Sequence, residues 1–172
     1  MNNKPVLQFS TKQICVTAVM VTFIFLMTII PRIPIPLGYA HLGDAAIFWC
    51  VYFVGRKEGV IAGCIGSAMA DFFGGFPIWI LPTLLIKFMM AETFWFVVKG
   101  NIKQGKRFSF LVIVGLILAL LVMTVGYTLF GAALYGSFEV GLMSAPGLLI
   151  KSAVNMIAFY FLFKMFSRIQ VY

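Results

Sequence analysis

The chain has 172 residues, of which 62% are hydrophobic and only 10% charged, and its mean hydropathy is +1.05. Globular chains carry about 25% charged residues, so a soluble core of this length would lack the polar surface to cover itself, and a disordered tail is excluded outright. Thirteen Lys and Arg against five Asp and Glu leave a net charge of +8; their positions point to a membrane surface and not to nucleic acid. The three cysteines, Cys15, Cys50 and Cys64, form no CxxC pair and sit in apolar runs, so they read as packing residues and predict neither a disulfide framework nor a zinc site.

About 20 apolar residues cross a bilayer, and on that measure one membrane domain covers residues 1–172. It is an all-α integral membrane protein with six transmembrane helices, at about 12–30, 44–55, 58–74, 78–98, 108–131 and 145–166. The first ends at Pro31-Arg32-Ile33-Pro34-Ile35-Pro36, where alternate prolines force an extended path and open an outer loop over 31–43. The second, closed by Gly55-Arg56-Lys57-Glu58, is short; tilt or burial among neighbours must absorb the deficit. The third is rich in small residues and ends at Asp71 and Gly74-Gly75. The fourth carries Pro82 near its start, where proline is tolerated, with Lys87 and Glu92 inside it. A basic linker over 99–107 precedes the longest apolar stretch, and a glycine-containing loop at 136–141 leads to the last helix. The first apolar run lacks a small-residue cleavage site and is expected to stay on the protein.

With both termini cytoplasmic, the inner side holds Lys4, Lys12, Arg56, Lys57, Lys99, Lys103, Lys106, Arg107, Lys164 and Arg168, and the outer loops hold only Arg32. That asymmetry is the positive-inside signal, and it favours counting the short second segment as a crossing. Gly100, Gly105 and Lys106 satisfy GxxxxGK, but position 107 is Arg where a magnesium-binding Ser or Thr belongs, and no strand precedes it. The chain itself therefore offers no nucleotide site, and ATP, if it drives transport, belongs to another subunit.

Ionisable residues inside membrane segments carry the chemistry, because each central charge costs roughly 2.5–3.5 kcal/mol. Asp44, Asp71, Lys151 and Asn155 fall near the outer surface, with Lys87 deeper and Thr83 one turn above it; together they can line an outward-opening polar cavity. Lys151 and Asn155 share a helix face by their spacing of four. Alternatives stand beside each. Asp44 can cap its helix; Asp71 and Lys151 can pair with each other, or Lys151 can snorkel. Glu92 faces another helix or a partner subunit. His41, the lone histidine, lies in the outer loop and cannot build a metal site alone, and Trp79 serves as an interfacial anchor or stacks on a flat ligand. Gly59, Gly63 and Ser67 form a small-residue row, with Ala62, Gly66 and Ala70 beside it, fit for close helix packing or for docking a partner. Ala18 and Thr22 repeat the pattern on the first helix.

The block Gly38-Tyr39-Ala40-His41-Leu42-Gly43-Asp44-Ala45, the Gly-Arg-Lys-Glu-Gly turn at 55–59, the small-residue helix ending in Ala70-Asp71, and Trp79 through Pro82-Thr83-Leu84-Leu85-Ile86-Lys87 resemble the substrate-binding S components of energy-coupling factor (ECF) transporters. Within these, the sequence is most similar to the branch assigned to hydroxymethylpyrimidine, vitamin B6 and pantothenate. The resemblance implies a six-helix subunit of the bacterial cell membrane that captures a scarce vitamin at the outer face and passes it to a transmembrane coupling protein and two cytoplasmic ATPases. It implies ligand contacts by Tyr39, His41, Trp79, Lys87 and Asn155, and coupling-protein contacts by helices one to three, often through an Ala-x-x-x-Ala pattern on the first helix. Here Ala18 is followed by Thr22, a departure from that pattern. The residues leave two other classes open. An intramembrane enzyme is disfavoured by the lack of any GxSG-type, HExxH or paired-Asp motif, and a stand-alone carrier by the lack of an inverted repeat.

Overall fold

The computed structural model describes residues 10–35, 38–103 and 108–167. Lys4, Pro36, Gly105, Lys106, Arg107 and Arg168 lie outside the described residues.

Helix α1 (Thr11–Ile29) starts on a capping box: Ser10 Oγ accepts from the Gln13 N–H and the Gln13 side chain accepts from the Ser10 N–H, satisfying two otherwise orphaned donors. Gln13 also donates to Glu58 at 3.1 Å, tying the start of α1 to the start of α3. The proline-rich segment is extended, as expected, but it also pairs with itself. Strand β1 (Ile33–Ile35) runs antiparallel to β2 (Gly38–Ala40), with Pro34 opposite Tyr39. Proline is admissible there because a two-stranded ribbon has only edges.

Helix α2 (Gly43–Trp49) opens into one π-helical turn (Cys50–Val54) before α3 (Arg56–Phe73). Every residue of α2 is buried, which answers its shortness: it is the central element and not a lipid-facing span. A 3-10 turn (Pro77–Trp79) leads into α4 (Ile80–Lys103), followed by α5 (Phe110–Tyr135), α6 (Phe138–Met143) and α7 (Ala145–Phe166). Two expectations are corrected here. The stretch read as a glycine loop contains α6, begun by the Ser137 side chain accepting from the Val140 N–H. Lys99 and Lys103 are helical, because α4 continues five residues past its expected end at 98.

Helices α4 and α5, α1 and α3, and α3 and α4 form the most extensive pairs, and α2 is packed by α1, α3, α4 and α7. Small residues permit the closest approaches. A side chain on Gly59 would meet the Val51 backbone, and one on Gly63 would meet Ile47. The centre is aromatic: the Phe48 and Phe94 rings lie 4.8 Å apart, with Tyr52, Phe159 and Phe163 completing the cluster. Outward faces are apolar instead of polar, with Val19, Phe72, Phe110, Ile150 and Phe161 all exposed, as a bilayer-facing surface requires. Four stretches are long and apolar enough to span: Thr11–Ile29, Pro77–Lys103, Phe110–Tyr135 and Phe138–Phe166.

Candidate functional site

At the end of the bundle opposite Arg56 and Lys99, the hairpin, the start of α4 and the joint between α6 and α7 frame a partly open cavity of about 80 Å³. One water needs roughly 10–15 Å³, so the space takes several waters or a small ring. Its walls are aromatic, from Tyr39, Phe76, Trp79 and Tyr127; its polar groups come from His41, Asp71, Thr83, Ser144 and Lys151.

Local folding places each group. Tyr39 is delivered by β2, with its ring 4.3 Å from the Arg32 guanidinium carbon; Arg32 in turn donates to the Ala70 carbonyl at 3.3 Å. The Tyr39 hydroxyl donates to Asp71 Oδ1 at 3.4 Å. Burial, then the Asp71 charge, pushes the Tyr39 hydroxyl up to about 12, so it stays a donor at any working pH. His41, although in the outer loop, is buried. Its Nδ1 accepts from the Gly43 N–H at 3.0 Å, which leaves Nε2 to carry the proton of the neutral ring. Burial and the nearby Lys151 charge hold its pKa well below the ordinary histidine value.

Beneath the cavity lies a buried ion triad. Asp44 accepts from Lys87 through Oδ1, while Lys151 stands 3.1 Å from Oδ2. None of the three side chains is more than 4% exposed. Unpaired, each charge would cost several kcal/mol to bury. Two ammonium groups against one carboxylate leave a net positive charge, and the Tyr127 ring, 5.3 Å from both nitrogens, presents its negative face to them. Asn155 closes the network. Its Oδ1 accepts from the Ala45 N–H at 2.8 Å, and its Nδ2 donates to the His41 and Lys151 carbonyls at 2.7 and 2.9 Å.

The sequence-derived residues therefore separate into two tiers. Tyr39, His41, Asp71, Trp79 and Lys151 line the cavity; Asp44, Lys87 and Asn155 do not, and sit under it. Asp44 is not a helix cap: Leu42 occupies that position and makes no side-chain cap bond. Lys151 pairs with Asp44 and not with Asp71, and it does not snorkel. Trp79 faces inward, 5.7 Å from the Tyr127 ring. Glu92 pairs with Arg56 at 2.9 Å. Gly59, Gly63 and Ser67 are buried within the chain, a packing role that leaves no exposed row for a partner, whereas Ala18 and Thr22 are exposed on α1. Tyr127 was missed in the sequence; a phenol flanked by Thr124 and Thr128 inside the most apolar helix was the available signal.

The family model described as ECF-type riboflavin transporter, S component, matches residues 8–168. The S component of a bacterial ECF transporter has a similar fold, with a TM-score of 0.74 and 21% identity over 94% of this chain and 98% of that one. A Pyrococcus woesei protein, described as an uncharacterized protein in the gap 3' region, is 36% identical over 111 residues, 63% of this chain and 71% of its own length. The fold and family are those of a membrane-embedded transporter component, not of an enzyme. The chain belongs to the ECF-type riboflavin transporter S-component family, whose members are the substrate-binding subunits of ECF transporters.

Proposed function

We propose that this chain captures a single-ring heteroaromatic vitamin or precursor, hydroxymethylpyrimidine or pyridoxine-like, and hands it to a coupling protein and two ATPases that spend the ATP. The observation that carries this reading is the cavity itself: aromatic walls from Trp79, Tyr127 and Tyr39 around a small volume, with polar groups at its edge. Flat rings gain stacking area between such walls, and the few polar groups fix their orientation. Donors and acceptors of both signs suit a neutral or zwitterionic ring better than a carboxylate such as pantothenate. Riboflavin is the second reading, favoured by the description of the matching family.

In this reading the cavity opens outward and both termini are cytoplasmic, making six crossings. Arg32 lies at the cavity end, while Lys12, Arg56, Lys57, Lys99, Lys103 and Lys164 gather at the other ends of their helices, in keeping with the positive-inside rule. The exposed Ala18 and Thr22 on α1 supply a low-bulk face for the coupling protein. Mass spectrometry of small molecules released from the purified, folded protein tests the substrate. A pyrimidine or pyridine is expected; recovery of riboflavin alone replaces the first reading with the second.

A further inference from the structure

Two charged side chains at the cavity are only partly satisfied by the protein. Asp71, 9% exposed, receives a long bond from Tyr39 on Oδ1, while its buried Oδ2 has no hydrogen-bond partner among the described residues. Thr83 is close enough to act on the carboxylate, and its hydroxyl also lies 3.1 Å from that of Tyr127, a pair in which either oxygen can donate. Lys151 reaches the cavity from another helix. Its ammonium is 3.1 Å from Asp44 Oδ2, a contact that occupies at most one of its three N–H directions. An ammonium has three donors and a carboxylate only acceptors. Leaving such buried groups unmatched costs more than an ordinary hydrogen bond returns.

Resting on the reading of this cavity as the ligand site, we propose that the ligand completes both groups at once. A ligand N–H or O–H donates to Asp71 Oδ2, and a ring nitrogen or oxygen elsewhere on the ligand accepts from Lys151. Asp71 is then a specificity-determining residue, and the cavity selects amino- or hydroxy-substituted heteroaromatic rings over rings that carry acceptors only. The aromatic walls contribute area to either kind of ring without distinguishing them. Discrimination falls to the oxygen that one ligand satisfies and the other leaves bare.

The test uses the full chain in lipid nanodiscs and two probes that differ only in the amino group, 4-amino-2,5-dimethylpyrimidine and 2,5-dimethylpyrimidine, the second of which carries ring acceptors and no donor, titrated by calorimetry. The amino compound is expected to bind the wild-type protein at least about tenfold tighter, the loss that accompanies removal of a hydrogen bond to a charged group. In Asp71→Leu the two probes are expected to bind alike. Equal affinities in the wild type overturn the proposal without recourse to any variant, and so does a preference that survives in folded Asp71→Leu. If folded wild-type protein binds neither probe, the single-ring reading of the site falls, and this inference with it.

Discussion

Lys151 and Asp44 approach to 3.1 Å with at most 4% of either side chain exposed, and the same carboxylate also holds Lys87. One anion thus sits between two cations brought from α4 and α7, and α2 is fastened to both by its first turn. The arrangement places the least tolerant electrostatics of the molecule directly under the cavity.

Removal of the shared anion is expected to be costly. In Asp44→Ala two ammonium groups are left buried without a carboxylate, and breaking a buried pair in this way costs about 3–5 kcal/mol. The midpoint of thermal unfolding in detergent should fall steeply. Adding Lys151→Met to that variant should restore part of the loss, because one unpaired charge is removed. An unchanged midpoint in Asp44→Ala would show that the triad does not hold the bundle.

Acid should loosen the site through His41. Its folded pKa lies well below the ordinary value because of burial and then Lys151, whereas the unfolded chain titrates near 6.5. Between those two values the unfolded state binds the extra proton, so stability rises with pH through this window. The contribution is complete above about 6.5 and is lost as pH falls toward the folded pKa. Protonation would also turn Nδ1 from acceptor to donor and break its bond with the Gly43 N–H. Comparing unfolding midpoints at about pH 7.5 and 5.5, the wild type should lose more stability than His41→Asn, which keeps a short acceptor and does not titrate. Parallel losses in the two proteins would remove His41 as the cause.

The small-residue row on α3 should respond unevenly to methyl groups. A Cβ on Gly59 would stand 2.6 Å from the Val51 nitrogen and 2.7 Å from its Cα, whereas on Gly63 it meets only side-chain atoms of Ile47, Cγ2 at 3.0 Å and Cδ1 at 3.3 Å. Backbone cannot yield and a side chain can. Gly59→Ala is therefore expected to lose about 1–3 kcal/mol or more. Gly63→Ala should stay within about 1 kcal/mol of wild type, since the gain in helix propensity offsets the crowding. Full stability of Gly59→Ala together with failure to associate with the coupling protein would return the row to a docking role.

Much of the helical layout was legible because its causes are local and periodic. Apolar length, proline at Pro31 and Pro82, and the glycines after Asp71 mark where helices run and stop, and the basic residues sort to one end. The hairpin was half-legible: Pro34 dictates an extended backbone, but the pairing of Ile33 with Ala40 depends on the two arms meeting. Helix α6 was hidden by Gly136 and Gly141, since only Gly136 takes a left-handed conformation, at φ 67°, and Gly141 lies inside the helix against α5.

Composition and spacing alone determined that this chain lives in lipid, that its intramembrane charges gather toward one face, and that Asp44, Asp71, Lys87 and Lys151 need compensation there. Which charge compensates which was decided by the tertiary structure. Asp44 took both lysines and Asp71 took Tyr39, because partner choice depends on distances between helices that are remote in sequence. A one-dimensional pattern records the cost of burying a charge, and only the packed bundle supplies the neighbour that offsets it.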